Sequence, residues 1–203
     1  MAKADSPYPD PHFDYEHGVL KNIPGFTDQK NLDDFERIQA TKAILNLKGH
    51  PVRGTFDTAH LKAIHKLTFS GIYCWADEFR QVNLHRSGSY YFVVVQLMKE
   101  NLKTTLAKLA TDAHLKGLDA EAFASRAAYY FGELDSIHPF REGNRRTQRE
   151  FIRQLAAEAG HRINWSRVTR EQMVGASIES HSHGRNTALA ALILSAVELA
   201  HLP

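Results

Sequence analysis

The chain has 203 residues, 43% of them hydrophobic, a formal net charge of +2 and a single cysteine. That length and apolar share support one domain with a sizeable core and leave no reason for a second. The near-neutral charge gives no general attraction to nucleic acid or membrane, and Cys74 alone cannot form an intrachain disulfide, which points to a reducing compartment.

Residues 1–26 are proline-rich and predict an N-terminal arm of loops and extended chain, with the domain proper over 27–203. Met1 to Pro11 lacks the apolar stretch of a signal peptide. Together with the absence of any apolar run of membrane-spanning length, this gives the expectation of a cytoplasmic protein without membrane contact. After Thr27, a candidate N-cap, Leu32, Phe35, Ile38, Ile44 and Leu45 recur at helical spacing until Gly49-His50-Pro51 ends the pattern. A second helix is expected after Thr55 or Asp57. Leu61, Ile64, His65 and Thr68 share its face, and Gly71 closes it.

The stretch Phe79 to Leu84 alternates as a strand does, Arg86-Ser87-Gly88-Ser89 is turn material, and Tyr90 to Val95 is aromatic and β-branched. A β-hairpin is expected there, leaning on helices because two strands alone are marginal. Cys74, between Tyr73 and Trp75, is expected to be a small buried residue. Helices follow at about 95–110, 119–137, 145–159, 169–180 and 187–201. Asp119 is an N-cap, Thr169 and Gln172 form a capping box, and Gly160 is a C-cap. His181-Ser182-His183 is taken as a polar loop rather than a metal site. Tyr90-Tyr91-Phe92 is taken as strand packing rather than a stacking platform for nucleic acid.

The chemistry concentrates in His138-Pro139-Phe140-Arg141-Glu142-Gly143-Asn144-Arg145-Arg146-Thr147-Gln148-Arg149. Pro139 turns the chain after a helix whose apolar face is Phe123, Ala127, Tyr130, Leu134 and Ile137. Phe140 should anchor the loop in the core. Gly143 and Asn144 tolerate left-handed angles, so successive N–H groups can converge on an anion at the next helix start. Arg146 and Arg149, three apart, oppose the helix dipole there unless a polyphosphate reverses the cost. Glu142 beside an anion site calls for an intervening cation, and Mg²⁺ held by a carboxylate and phosphate oxygens suits it. A solvated, charged helix start is the bland alternative, but several independent residue types agree against it.

This run resembles the signature of the Fic (filamentation induced by cAMP) family, His-Pro-Phe-x-Asp/Glu-Gly-Asn-Gly-Arg-x-x-Arg. Ile72-Tyr73-x-Trp75-Ala76 and the hairpin over 82–95 are similar to that family's upstream segment and target-docking flap. The resemblance implies an all-α Fic fold, a helical bundle with a small β-hairpin flap over the active site. It also implies a protein adenylyltransferase that moves AMP from ATP to a Ser, Thr or Tyr hydroxyl. By position, His138 would be the general base, Glu142 the Mg²⁺ ligand, and Gly143 and Asn144 the anion hole. Arg146 and Arg149 would meet the β- and γ-phosphates, and Ser89, Tyr90, Tyr91, Phe92 and Val93 would dock the target strand. Arg145 departs from the family, standing where the second glycine belongs. If that backbone needs positive φ, arginine strains it, so weakened nucleotide handling is expected. Two alternatives share the resemblance: a Fic enzyme transferring another phosphate-containing group, and a catalytically impaired binding module.

No glutamate follows a Ser or Thr by four residues, so the family's inhibitory motif Ser/Thr-x-x-x-Glu-Gly/Asn is absent from this sequence. The resemblance therefore implies the class restrained by a separate small helical antitoxin carrying that motif. In that class, type II topoisomerase subunits are possible targets.

Overall fold

The computed structural model describes residues 3–5, 9–86 and 90–198. Its frame is seven helices: α1 (Gln29–Gly49), α2 (Thr58–Phe69), α3 (Val95–Thr111), α4 (Ala120–Ile137), α5 (Asn144–Glu158), α6 (Arg170–His183) and α7 (Thr187–Ala196). Three small strand groups are attached. They are β1 (Lys3–Ala4) with β4 (Leu84–Arg86) and β5 (Tyr90–Tyr91), then β2 (Phe13–Asp14) with β3 (Val19–Leu20), then β6 (Arg162–Ile163) with β7 (Val197–Glu198). The fold is therefore the expected all-α one with a β-hairpin.

The bundle is built around α4. Phe123, Ala124, Ala127, Tyr130, Phe131 and Leu134 are all buried, so this helix is apolar around most of its circumference, as only a central helix is. It packs on α3, α5, α6 and α7. Gly132 allows α6 and the start of α7 to approach closely. A Cβ there would lie 2.5 Å from Ser180 Oγ and 2.7 Å from Asn186 Oδ1. A second apolar cluster joins α1 to the turn after α2 through Leu32, Ala40, Phe69, Tyr73 and Trp75.

Caps sit where short polar side chains meet helix starts. Asp28, not Thr27, caps α1 by accepting from Asn31 N at 2.9 Å; Asp57 caps α2, Asp119 caps α4, and Thr169 with Gln172 forms the capping box of α6. Helix α6 runs on through His181 and His183 to Gly184, whose φ of 64° closes it, so that segment is a last helical turn and not a loop. Helix α7 stops at Ala196, five residues before the expected end, because Val197 and Glu198 pair with β6.

Residues 9–26 pack against the helices. Val19 and Leu20 are buried in the second cluster, and Asp10 forms a buried ion pair with Arg141. Pairing in the hairpin begins only at Leu84, so the expected strand over 79–84 is irregular up to that point. Arg80, Val82 and Leu84 do alternate inward, but the backbone of Arg80 is taken by Pro139 O and that of Asn83 by Asp5 N. Cys74 is exposed, although Ile72, Tyr73, Trp75 and Ala76 on either side of it are buried. Among the described residues no helix is long and apolar enough to cross a membrane.

Candidate active site

The chain leaves α4 through His138, which adopts φ 48°, ψ 62°, a left-handed C-terminal position unusual for a residue with a Cβ. Phe140 then drops into the core and stacks on His65 with centroids 3.9 Å apart. The Asn144 amide closes the loop on itself. Its Oδ1 accepts from Phe140 N at 2.9 Å and its Nδ2 donates to Phe140 O at 2.6 Å. Gly143 enters α5 at φ 80°, and a Cβ there would lie 2.4 Å from the Phe69 ring, so only glycine fits. As N-cap it brings no side chain to the first turn of α5. That leaves a helix N-terminus whose N–H groups lack a side-chain acceptor from the cap, the usual form of an anion site.

Arg145 is inside this helix and is not among the residues with positive φ. The backbone strain expected for arginine here does not arise. Its side chain, about a quarter exposed, lies 3.9 Å from Asp135 Oδ1.

His138 is 7% exposed. Its Nδ1 lies 3.3 Å from Asp135 O, and a carbonyl can only accept, so Nδ1 carries the proton and Nε2 the lone pair. Burial, then the Arg80 and Arg145 cations, hold its pKa well below the ordinary range. The imidazole is thus neutral and competent as a base at neutral pH. Phe92 of the flap stacks on it at 3.7 Å with the planes 18° apart.

The two motif arginines do not converge as their spacing suggested. Arg146 is ion-paired to Glu36 of α1, lies 3.6 Å from Glu142 and sits 4.8 Å over the Phe69 ring. Tyr73 donates to the other oxygen of Glu36. Burial pushes the Glu36 carboxyl up against the pull of Arg146. Burial also opposes the charge on Arg146, but Glu36 and Glu142 outweigh it and raise its pKa. Arg149 instead donates to Trp165 O at 3.0 Å and stacks 5.1 Å from the Trp165 ring. Glu142 accepts from Gly143 N at 2.8 Å and keeps a partly exposed carboxylate at the rim. Among the described residues no group of three His, Cys, Asp or Glu could hold a metal alone. One carboxylate completed by phosphate oxygens is the arrangement that suits Mg²⁺, and Glu142 fits it.

In the flap, Tyr91 is 63% exposed while Phe92 is buried. Val93 is fully engaged, its N–H donating to Ser136 O and its carbonyl accepting from Arg80, so it has no backbone group left for an added strand. Tyr90 pairs through its backbone with Arg86, and Ser89 lies outside the described residues. His181 lies on the flap side, 3.1 Å from Ser136 Oγ and edge-on to Phe92.

Glu36, His65, Tyr73 and Arg80 were not singled out from the sequence as site residues. The available signal for Glu36 was its place between Leu32 and Ala40 on the inner face of α1. Nothing local pointed to Arg80.

A profile described as Fic/DOC family matches residues 55–156. The chain is 44% identical over 184 residues to the protein adenylyltransferase VbhT of Bartonella schoenbuchensis, covering 91% of this chain and 38% of that protein. Thus the chain spans well under half of that relative. It is 33% identical over 169 residues to the probable protein adenylyltransferase y4lH of Sinorhizobium fredii, covering 81% of this chain and 84% of that one. A crystal structure of the BepC protein of Bartonella tribocorum with bound AMPPNP superposes with a TM-score of 0.87. The two are 27% identical, with 92% of this chain and 96% of that one covered.

Proposed function

The chain belongs to the Fic/DOC family, and we propose that it is a protein adenylyltransferase, moving AMP from ATP to a Ser, Thr or Tyr hydroxyl of a protein. One observation carries this: a neutral, buried imidazole at the left-handed end of α4 beside the uncapped start of α5. The substrate hydroxyl oxygen attacks the α-phosphorus and its proton passes to His138 Nε2. The bond from the α-phosphorus to the bridging oxygen breaks, and pyrophosphate leaves. A base so placed contributes roughly 10²–10⁴-fold. The α5 N-terminus, Gly143 and Asn144 would cradle phosphate through backbone N–H groups, since the Asn144 side chain is already satisfied by Phe140. Arg146 would reach a phosphate by exchanging Glu36 for it, and Arg149 by leaving Trp165. Glu142 would hold Mg²⁺ together with phosphate oxygens, and the ion would neutralise charge on the departing pyrophosphate.

The catalytically impaired alternative loses its backbone support, because Arg145 is helical. The finer role is that of a toxin, restrained by a separate small helical protein that carries Ser/Thr-x-x-x-Glu-Gly, with a type II topoisomerase subunit as target. It is supported by the lack of that motif in this sequence.

ATP labelled at the α- or the γ-phosphate tests the activity. Label from the α position should enter protein, and His138→Ala should reduce it roughly 10²–10⁴-fold. Transfer of the γ label instead would establish phosphorylation and overturn the proposal.

A further inference from the structure

Arg80 is 1% exposed, and its partners are carbonyl oxygens. Its Nε donates to His138 O at 2.8 Å, Nη1 to Val82 O at 2.8 Å, and Nη2 to Val93 O and to Ile137 O at 3.3 Å. Its own N–H donates to Pro139 O at 3.0 Å. Burying a guanidinium is costly unless its charge and donors are met. Here the carbonyls of Ile137 and His138, at the negative end of α4, do this. Burial still lowers the pKa of Arg80 to about 10, so it stays charged at neutral pH.

Core filling alone does not explain which carbonyls are held. One belongs to His138, whose left-handed backbone is otherwise disfavoured. Another belongs to Val93, next to the Phe92 ring that lies on the His138 imidazole. The guanidinium joins the histidine to the base of the flap, residues 138 and 93, which lie 45 positions apart in sequence.

We propose that Arg80 is a positioning residue for the transfer reaction, locking the backbone of His138 to that of Val93 so that the imidazole and the flap strand keep one relative geometry. This inference rests on the adenylyl-transfer reading above and on the target-docking flap that the family resemblance implies. Misplacing such a group by about 1 Å can cost roughly 10²-fold. The charged groups facing the imidazole are Arg80 itself, Arg86 of β4, Arg145 of α5 and Asp135 of α4, with His181 of α6 beyond Phe92.

The test uses the full chain carrying Arg80→Lys or Arg80→Met. The lysine keeps the cation, but an ammonium has three donors and cannot reach the four carbonyls that the wide, planar guanidinium fork holds. In both folded variants kcat should fall roughly 100-fold while KM for ATP stays within about twofold, because the phosphate side of the site is untouched. In Arg80→Met the acid limb of the pH–rate profile should also move to higher pH, since a cation facing His138 is gone. In Arg80→Lys that limb should stay in place. The His138 ring-proton resonance, shifted by the stacked Phe92 ring, supplies a readout independent of activity and should move in Arg80→Lys. Wild-type kcat in Arg80→Lys, or KM for ATP rising in step with the loss of rate, overturns the inference. If Arg80→Met does not fold, Arg80→Lys decides. If the wild-type chain transfers no AMP, the adenylyl-transfer reading falls. The resonance then decides, and an unshifted His138 signal in Arg80→Lys overturns the positioning role.

Discussion

The junction between α4 and α5 and the flap over it are built in opposite ways. At the junction nearly every group is committed: Asn144 clamps Phe140, His65 holds the carbonyl of Glu142 at 3.0 Å, and Arg141 is anchored by Asp10. The flap has two paired positions between β4 and β5, a two-residue edge strand beside them, and an exposed Tyr91. Its stability is borrowed from the bundle through Phe92, Val93 and Arg80. The backbone groups that would cradle phosphate gain from being held in place before reaction, whereas Arg146 and Arg149 would first leave Glu36 and Trp165. A surface that accepts a target strand needs open backbone groups instead. The difference predicts that substitutions at the junction change stability and catalysis together, while those on the flap change target use alone.

The strongest way to break this comparison is Gly143→Ala. A left-handed φ costs a residue with a Cβ about 1–2 kcal/mol. The new carbon would lie 2.4 Å from the Phe69 ring, and overpacking adds about 1–3 kcal/mol. We expect a loss of roughly 2–5 kcal/mol in denaturant unfolding, with AMP transfer lost alongside. A variant within about 0.5 kcal/mol of the parent would mean the junction yields as easily as a surface site.

A second effect comes from acid. His65 is fully buried, its Nδ1 accepting from Asp77 N at 2.9 Å and its Nε2 donating to Glu142 O, so the neutral tautomer is fixed. Burial lowers its pKa from 6.5 to about 4. The unfolded chain takes up a proton below pH 6.5 while the folded one does not. Stability from this group is therefore complete above pH 6.5 and is lost as pH falls to about 4, by about 3 kcal/mol in all. His12, His60, His138 and His181 are lowered as well and act in the same direction. Urea unfolding at pH 7 and pH 4.5 should show the loss, and His65→Gln, which cannot titrate, should show less of it. Equal pH dependence in both proteins would remove His65 as the pin of the loop.

The helices were legible because their signals are local: periodic apolar residues, Asp and Thr caps, and glycines at the ends. The reactive loop was legible because its residue types are chemically distinctive. What could not be read is pairing at long range. Glu36 with Arg146 and Asp10 with Arg141 join residues more than one hundred positions apart, and either acid alone is an ordinary surface type. Arg149 was expected beside Arg146, but Trp165 claims it. The hairpin was placed correctly and drawn too long. Strand alternation from Phe79 is genuine in burial, but the backbone N–H of Arg80 donates to Pro139 O and not to a partner strand.

Arg145→Gly is a smaller probe of the junction. The residue is helical and its side chain leans on Asp135, so glycine should cost roughly 0.5–1 kcal/mol. ATP turnover should rise, because glycine is the residue that the family signature carries at this position. A fall in turnover would show that the charge of Arg145 serves the nucleotide instead.

The smallest expected effect on stability belongs to the flap, and it sharpens the comparison most. Tyr91 is 63% exposed, and its ring lies 5.4 Å from that of His85, a partial contact open to solvent. Tyr91→Ala should alter unfolding by no more than about 0.5 kcal/mol, as surface substitutions do. The His138 resonance and KM for ATP should stay where they were, because Phe92, Val93 and Arg80 still hold the flap base. KM for the protein target should rise, because an aromatic side chain on the outer face of an edge strand is what an added strand would pack against. A change in stability or in ATP handling as large as that in target use would show that the flap and the junction form one cooperative unit.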